Sequence, residues 1–228
     1  MRIAVFSDVH GNKYAMSSFL AKLQSVDYDK AVFLGDVMGY FYYPSEVLEM
    51  MRTIPSLEML RGNHDKMAFD VLTGALNAKP LIAKYGSVYG QVDAWAAEQL
   101  SDLPFSREIC VNGIRVGFFH GTPAAPEDGR LYPDVACHDP ETYGDFDVVI
   151  CGHTHFRMDR MIGGTRVLGA GSVGQPRDFR KPCFLLYDTA SRQAEHVEFD
   201  YDRKLLSRDV DERDHGSEKL KELIWRYK

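Results

Sequence analysis

The chain has 228 residues, 45 % of them hydrophobic, and carries 33 acidic against 27 basic residues, a formal net charge of −6. That is enough apolar material for one sizeable core, so a single domain over 1–228 is expected, with a charged helical extension at about 203–228. The acidic balance and the lack of a long basic run exclude a surface that tracks phosphate backbones, and no stable nucleic-acid complex is expected. No apolar run approaches membrane-spanning length, and Met1–Phe6 runs into Ser7-Asp8 without the profile of a signal peptide. The expectation is a cytoplasmic protein with no membrane partner. Cys110, Cys137, Cys151 and Cys183 form no C-x-x-C pair, which argues for reduced thiols over a zinc knuckle or a disulfide framework.

Residues 2–7 read as an apolar strand that ends in Asp8-Val9-His10. In an extended segment positions i and i+2 share a face, so these two side chains can reach one cation together. Asn12 then suits the cap of a helix to about Ser25, with Ala15, Phe19, Leu20 and Leu23 on its buried side. A second strand, Lys30–Leu34, stops at Gly35-Asp36, and Pro44 opens a helix running to Met51. The short run Ser56–Leu60 leads into Arg61-Gly62-Asn63-His64-Asp65. There Asn63 offers a neutral amide oxygen and His64 a group that titrates near neutrality. Each of these residues alone reads equally well as a turn or a helix cap. Three successive strand ends carrying Asp, Asp and Asn-His read as a site, because open α/β sheets place ligands beyond the carboxyl ends of their strands.

Residues 66–101 look largely helical and suited to cover one face of the sheet. Ile109–Val111 and Ile114–Phe119 flank Asn112-Gly113, a strong hairpin signal, and the second strand ends in His120. A loop rich in Pro, Gly and charge extends to about Gly144, followed by the strand Asp147–Cys151 and Gly152-His153-Thr154-His155. Phe156–Ile162, Thr165–Leu168, Cys183–Tyr187 and Glu195–Phe199 then read as strands of a second sheet packed on the first. From Arg203 a charged tail leads to an amphipathic helix, Ser217–Tyr227. Five of the eight histidines fall just after apolar strands; His138, His196 and His215 do not.

Collected in order, Asp8-x-His10, Gly35-Asp36, Gly62-Asn63-His64-Asp65, His120 and Gly152-His153-x-His155 supply oxygen and imidazole donors and no thiolate. They are too many for one ion with open positions, and two ions sharing a carboxylate fit. Here the sequence resembles the calcineurin-like metallophosphoesterase superfamily, whose motifs D-x-H, G-D, G-N-H-D/E, H and G-H-x-H follow in this order. Gly35-Asp36-Val37-Met38-Gly39-Tyr40 and Gly171–Asp178 resemble its compact bacterial and archaeal phosphodiesterase-type branch, with Ala170 and Phe41-Tyr42-Tyr43 departing from that pattern.

The resemblance implies an α/β fold, a two-sheet β-sandwich flanked by helices in a four-layer αββα arrangement. It implies that Asp8, His10 and His155 hold one divalent ion, that Asn63, His120 and His153 hold the other, and that Asp36 bridges. Mn, Fe, Zn, Ni and Co all accept such ligands. It also implies attack by a bridging hydroxide, with His64 as proton donor and Asp65 as its orienter. The expected substrate is a small phosphodiester, nucleotides included; a protein or phosphomonoester phosphatase and a non-catalytic scaffold are the alternatives. For substrate contacts the sequence offers Arg177, in a basic stretch after a glycine-rich turn, and Phe41 and Tyr42, aromatics only a few residues past Asp36 that could stack on a base. Oligomeric state stays open.

Overall fold

The computed structural model describes residues 1–227. Strands β1 (Arg2–Phe6), β2 (Lys30–Phe33) and β3 (Leu57–Met59) run parallel and are linked by helices α1 (Lys13–Leu23) and α2 (Pro44–Met51). After β3 come three helices, α3 (Asn63–Leu72), α4 (Ala78–Tyr85) and α5 (Ala94–Leu100). The second sheet starts with the hairpin β4 (Ser106–Val111) and β5 (Ile114–Phe119), whose turn residues Asn112 and Gly113 both take the positive φ that a tight hairpin needs. It continues with β6 (Val148–Cys151), β7 (Arg157–Ile162) and β8 (Thr165–Ala170) in the order β4-β5-β6-β8-β7. The chain then returns to the first sheet as β9 (Cys183–Asp188) and β10 (Ala194–Glu198), giving the order β10-β9-β1-β2-β3, and ends in α6 (Arg203–Arg213) and α7 (Glu218–Trp225).

The fold class is therefore an α/β two-sheet sandwich flanked by helices. Alternate residues of each strand face opposite sides, and this sorts the core into layers. Ile3, Val5, Val32 and Leu185 from one sheet meet Val116, Phe118, Ile150 and Leu168 from the other between the sheets. Their neighbours Ala4, Phe6, Phe33 and Phe184 pack outward beneath helices through Phe19, Leu48 and Leu206. The outer face of the second sheet is closed by Leu131 and Tyr143 of the long 120–147 segment, which holds one 3-10 turn (Pro140–Tyr143).

Two expectations need correction. Cys183–Tyr187 and Glu195–Phe199 do not belong to the second sheet: β9 pairs antiparallel with β1, from Arg2↔Asp188 to Val5↔Leu185. Its continuously buried run is that of a central strand, covered on both faces. The 66–101 region is largely helical, as expected, and caps divide it into separate helices, with Asn77 and Asp93 accepting from Lys79 and Ala96 and with Gly86 at φ +102°. The C-terminal region is not a tail. Leu206 and Val210 of α6, and Leu220 and Ile224 of α7, join the core beneath the first sheet. Hydrogen bonds from the Tyr14 hydroxyl to Asp209 and from the Tyr42 hydroxyl to Asp214 tie these helices to the N-terminal half. Among the described residues no helix is long and apolar enough to cross a membrane.

Candidate metal centre

Past the carboxyl ends of β1 and β2 the backbones stay joined by N–H···O bonds from Asp8 to Gly35, His10 to Asp36 and Gly11 to Val37. Asp8, His10 and Asp36 have φ of 58°, 51° and 68°, and His153 and His155, after β6, have 60° and 64°. Side chains rarely adopt this left-handed region, and clusters of such residues mark functional sites. The i, i+2 pairs thus converge through tight turns and not along extended strand. Gly62 is required for close approach: a Cβ there would overlap the Asp36 carboxylate and backbone nitrogen.

These turns gather the donors. Asp8, His10 and His155 form one compact group, and Asp36, His120 and His153 a second. Asn63, the first residue of α3, brings its Oδ1 to 3.0 Å from His120 Nε2. Asp36 lies between the groups, with Oδ2 at 3.7 Å from His10 Nε2 and 3.5 Å from His120 Nε2. Its Oδ1 accepts from the His64 backbone N–H at 2.9 Å.

The ring nitrogens show what the centre lacks. His10, His120 and His155 each place Nδ1 against a backbone carbonyl, those of Met38, Leu34 and Gln175, at 2.8, 3.0 and 2.6 Å. A carbonyl only accepts, so Nδ1 carries the proton and Nε2 presents a bare lone pair. His10 Nε2 nevertheless sits 3.2 Å from His155 Nε2, and His120 Nε2 equally faces a carbonyl oxygen of Asn63. Acceptor facing acceptor in a buried site is repulsive unless a cation lies between them. Asp36 Oδ2, His153 Nε2 and both oxygens of Asp8 are buried without a hydrogen bond of ordinary geometry among the described residues. Such orphaned polar atoms are costly, and a divalent ion would satisfy them. The residues fit the implied metals.

Burial is the leading cause of the proton affinities here. It pushes the Asp8 carboxyl up to about 7 and holds His10 and His153 down at about 3 and about 4. Asp36 moves well above the ordinary carboxylate range, and His120 and His155 well below the imidazole range, for the same reason. A carboxyl raised in the folded chain contributes stability at low pH that is lost as pH rises through its folded value. The depressed imidazoles act oppositely and lose stability as pH falls below their unfolded value of 6.5. Metal-free protein should therefore be most stable near pH 6.5 and lose stability toward about pH 8, where added Mn²⁺ should raise Tm most. Thermal unfolding across pH with and without EDTA measures this; a metal-free Tm that climbs from pH 6.5 to 8 contradicts it.

His64 and Asp65 part company. The His64 ring packs against Tyr40 and Tyr85, and its Nδ1 lies 2.6 Å from the Tyr89 hydroxyl. Asp65 accepts the backbone N–H groups of Gly62, Asp36 and Met38 at 2.8, 2.9 and 2.8 Å, and makes no contact that orients His64. The group that meets the His64 ring nitrogen is Tyr89. Asp65 is the third residue of α3 and reaches back to its N-terminus, and Gly62-x-x-Asp65 could have been read as that capping pattern. Nothing in the sequence marked Tyr89.

Arg177 stands beside the cluster, with Nη2 donating to the Tyr40 hydroxyl at 2.9 Å and to Gln175 Oε1 at 2.9 Å. Its charge favours the ionised form of Asp8 and disfavours protonation of His155. The segment leading to it is clamped onto the end of β1 by Ser172 Oγ donating to the Asp8 carbonyl and Asn12 Nδ2 donating to the Gly174 carbonyl. Phe41 and Tyr42 are corrected. Phe41 is 1 % exposed, and Tyr42 is half-buried, tethered to Asp214 with the Arg213 guanidinium 5.2 Å over its ring. Contacts to α6 and its C-terminal end remove the stacking face that was expected there.

Two stacked sheets that direct carboxylates, imidazoles and an amide to one buried centre define a metallophosphoesterase domain. The chain belongs to the calcineurin-like phosphoesterase superfamily, whose domain model matches residues 1–192. A relative described as an uncharacterized protein of Methanocaldococcus jannaschii is 30 % identical over 228 residues, covering 89 % of this chain and 88 % of its own. A hypothetical protein from Pyrococcus horikoshii shares the fold at a TM-score of 0.80 and 23 % identity, over 97 % of each chain. A metallophosphoesterase from Sphaerobacter thermophilus does so at 0.76 and 23 %, over 99 % of this chain and 98 % of its own.

Proposed function

We propose that the protein is a dinuclear metal-dependent phosphoesterase acting on a small phosphodiester, nucleotide-like substrates included. The observation that carries this is the set of donors gathered about Asp36, with Asp8, His10 and His155 in one group, Asp36, His120 and His153 in another and His64 joining His10 and Asp36 in a third, and with buried atoms of Asp8, Asp36 and His153 left bare. Asp8, His10 and His155 would hold one ion, Asn63, His120 and His153 the other, with Asp36 Oδ2 shared. Divalent ions in such a pair supply Lewis-acid stabilisation of phosphoryl charge and a water acidified toward neutrality. The chain's own residues do the rest. Arg177 binds and orients the anion, the backbone clamps hold the donors in place, and His64 gives a proton to the leaving oxygen. All seven donors are present in the chain, which supports a catalytic reading over the scaffold reading.

Hydrolysis of bis(4-nitrophenyl) phosphate with Mn²⁺, together with metal analysis, tests this. Two bound ions and EDTA-sensitive turnover are expected; one ion or none at saturation, or no turnover, overturns it. Arg177→Ala should raise KM for anionic esters roughly ten-fold or more, the scale of one charge-assisted hydrogen bond. Unchanged KM and kcat across a panel of anionic esters would remove Arg177 from the site.

A further inference from the structure

An open groove of about 550 Å³ is lined by Phe156, Arg177, Phe179, Glu222, Trp225 and Arg226. It carries two of the most exposed large apolar residues of the chain, Phe179 at 71 % and Trp225 at 46 %. The backbone of the first and one ring face of the second are fixed by their neighbours. Phe179 sits at φ +60°, in a turn where the Asp178 carboxylate accepts from the Arg180 N–H and meets Arg157 Nη1 at 3.5 Å. The Trp225 ring has the Arg203 guanidinium 4.9 Å over it, which supports one side of the indole. A bulky aromatic kept exposed in a left-handed backbone conformation serves no packing purpose, and such strain points to a ligand.

The chemistry of the walls selects that ligand. Arg177 belongs to both places: it borders the groove and hydrogen-bonds Tyr40, whose ring is 4.9 Å from that of His10. Its partners, a hydroxyl and an amide, are neutral, so its charge is available to an anion. Glu222 is paired with Arg226 at 3.5 Å. A groove lined by two exposed aromatic rings and by a guanidinium whose hydrogen-bond partners among the described residues are neutral suits a planar aromatic group joined to a phosphate. An aliphatic chain would gain nothing from the two rings beyond burial.

Building on the phosphoesterase reading, we propose that this groove is the subsite for the aromatic group of the substrate, a nucleobase or similar heterocycle, stacked on Phe179 and Trp225. It replaces Phe41 and Tyr42 as the source of nucleotide preference.

The test compares dissociation constants of AMP and of methyl phosphate for the Mn²⁺-loaded protein, by calorimetry, in wild type, Phe179→Ala, Trp225→Ala and the double variant. AMP should bind wild type about ten-fold or more tightly than methyl phosphate, and the double variant should lose about ten-fold of that ratio. Both side chains are surface residues, so an unchanged circular dichroism spectrum and Tm should accompany the loss. In a Trp95→Phe protein, which leaves Trp225 as the sole indole, adenosine without added metal should quench the emission. A wild-type ratio near one, or a ratio unmoved by the double variant, overturns the subsite and leaves the metal centre standing. Failure of methyl phosphate to bind while adenosine still quenches overturns the phosphoesterase reading and retains the aromatic groove.

Discussion

Asp36→Asn is expected to abolish diester hydrolysis while making the metal-free protein more stable. In the wild-type chain Asp36 is fully buried, with one oxygen fixed by the His64 N–H and the other directed at His10 and His120 without a donor of its own. A buried carboxylate in that position is costly, as its raised proton affinity shows. Asparagine keeps the shape and removes the charge. The backbone N–H of His64 must be met by the amide oxygen, which turns the NH₂ group toward His10 and His120. Donors then fill the place where a cation needs acceptors. The loss of metal affinity should exceed the roughly 10–100-fold typical of removing an outer partner of a metal ligand. Calorimetric Mn²⁺ titration and thermal unfolding check this without an activity assay. Metal-free Tm should match or exceed wild type, and the rise in Tm on adding Mn²⁺ should be lost. A variant that binds two ions with wild-type affinity would show that Asp36 bridges nothing.

How much could be read from the sequence follows from what is local. Apolar strands that stop at Asp8, Asp36, Asn63, His120 and His153 were visible because the change from apolar to polar is abrupt and the sheets place those ends together. The left-handed turns that aim the donors were not visible, because Asp and His do not advertise positive φ as glycine does. The placement of β9 beside β1 depends on pairing across 180 residues or more, which periodicity cannot register. The aromatic run Tyr40–Tyr43 failed as a stacking surface for the same reason. Its environment is set by Arg213 and Asp214, far along the chain and in a region that reads as charged tail. Asp65 was misassigned because the motif carries two meanings at once, and proximity in sequence to His64 masked its hold on the 36–38 loop.

That separation of Asp65 from His64 shapes the second large effect. His64→Ala should lower turnover by roughly 10²–10⁴ with both ions retained, the usual scale for losing a general acid. The ring is buried among Tyr40, Tyr85 and Tyr89, and a Cβ on Gly39 would collide with its Nδ1, so the imidazole has one available pose. Burial holds His64 well below the imidazole range and Tyr89 well above the phenol range, so both are neutral near pH 7. Nδ1 is bridged to the Tyr89 hydroxyl, which leaves Nε2 as the nitrogen that would deliver a proton; the ring must take that proton up as imidazolium before the transfer, so that giving it to the leaving oxygen returns neutral imidazole. Tyr89→Phe should lose about ten-fold in kcat with KM unchanged, roughly one hydrogen bond. Both losses should shrink as the leaving group becomes more acidic, because a good leaving group needs no proton. Asp65→Asn should behave differently: it loosens the 36–38 loop and the start of α3, lowering Tm and metal affinity together, with no dependence on the leaving group. Plots of log kcat against leaving-group pKa for the three variants decide the matter. Parallel lines for wild type and His64→Ala would assign His64 to binding or electrostatics and not to proton transfer.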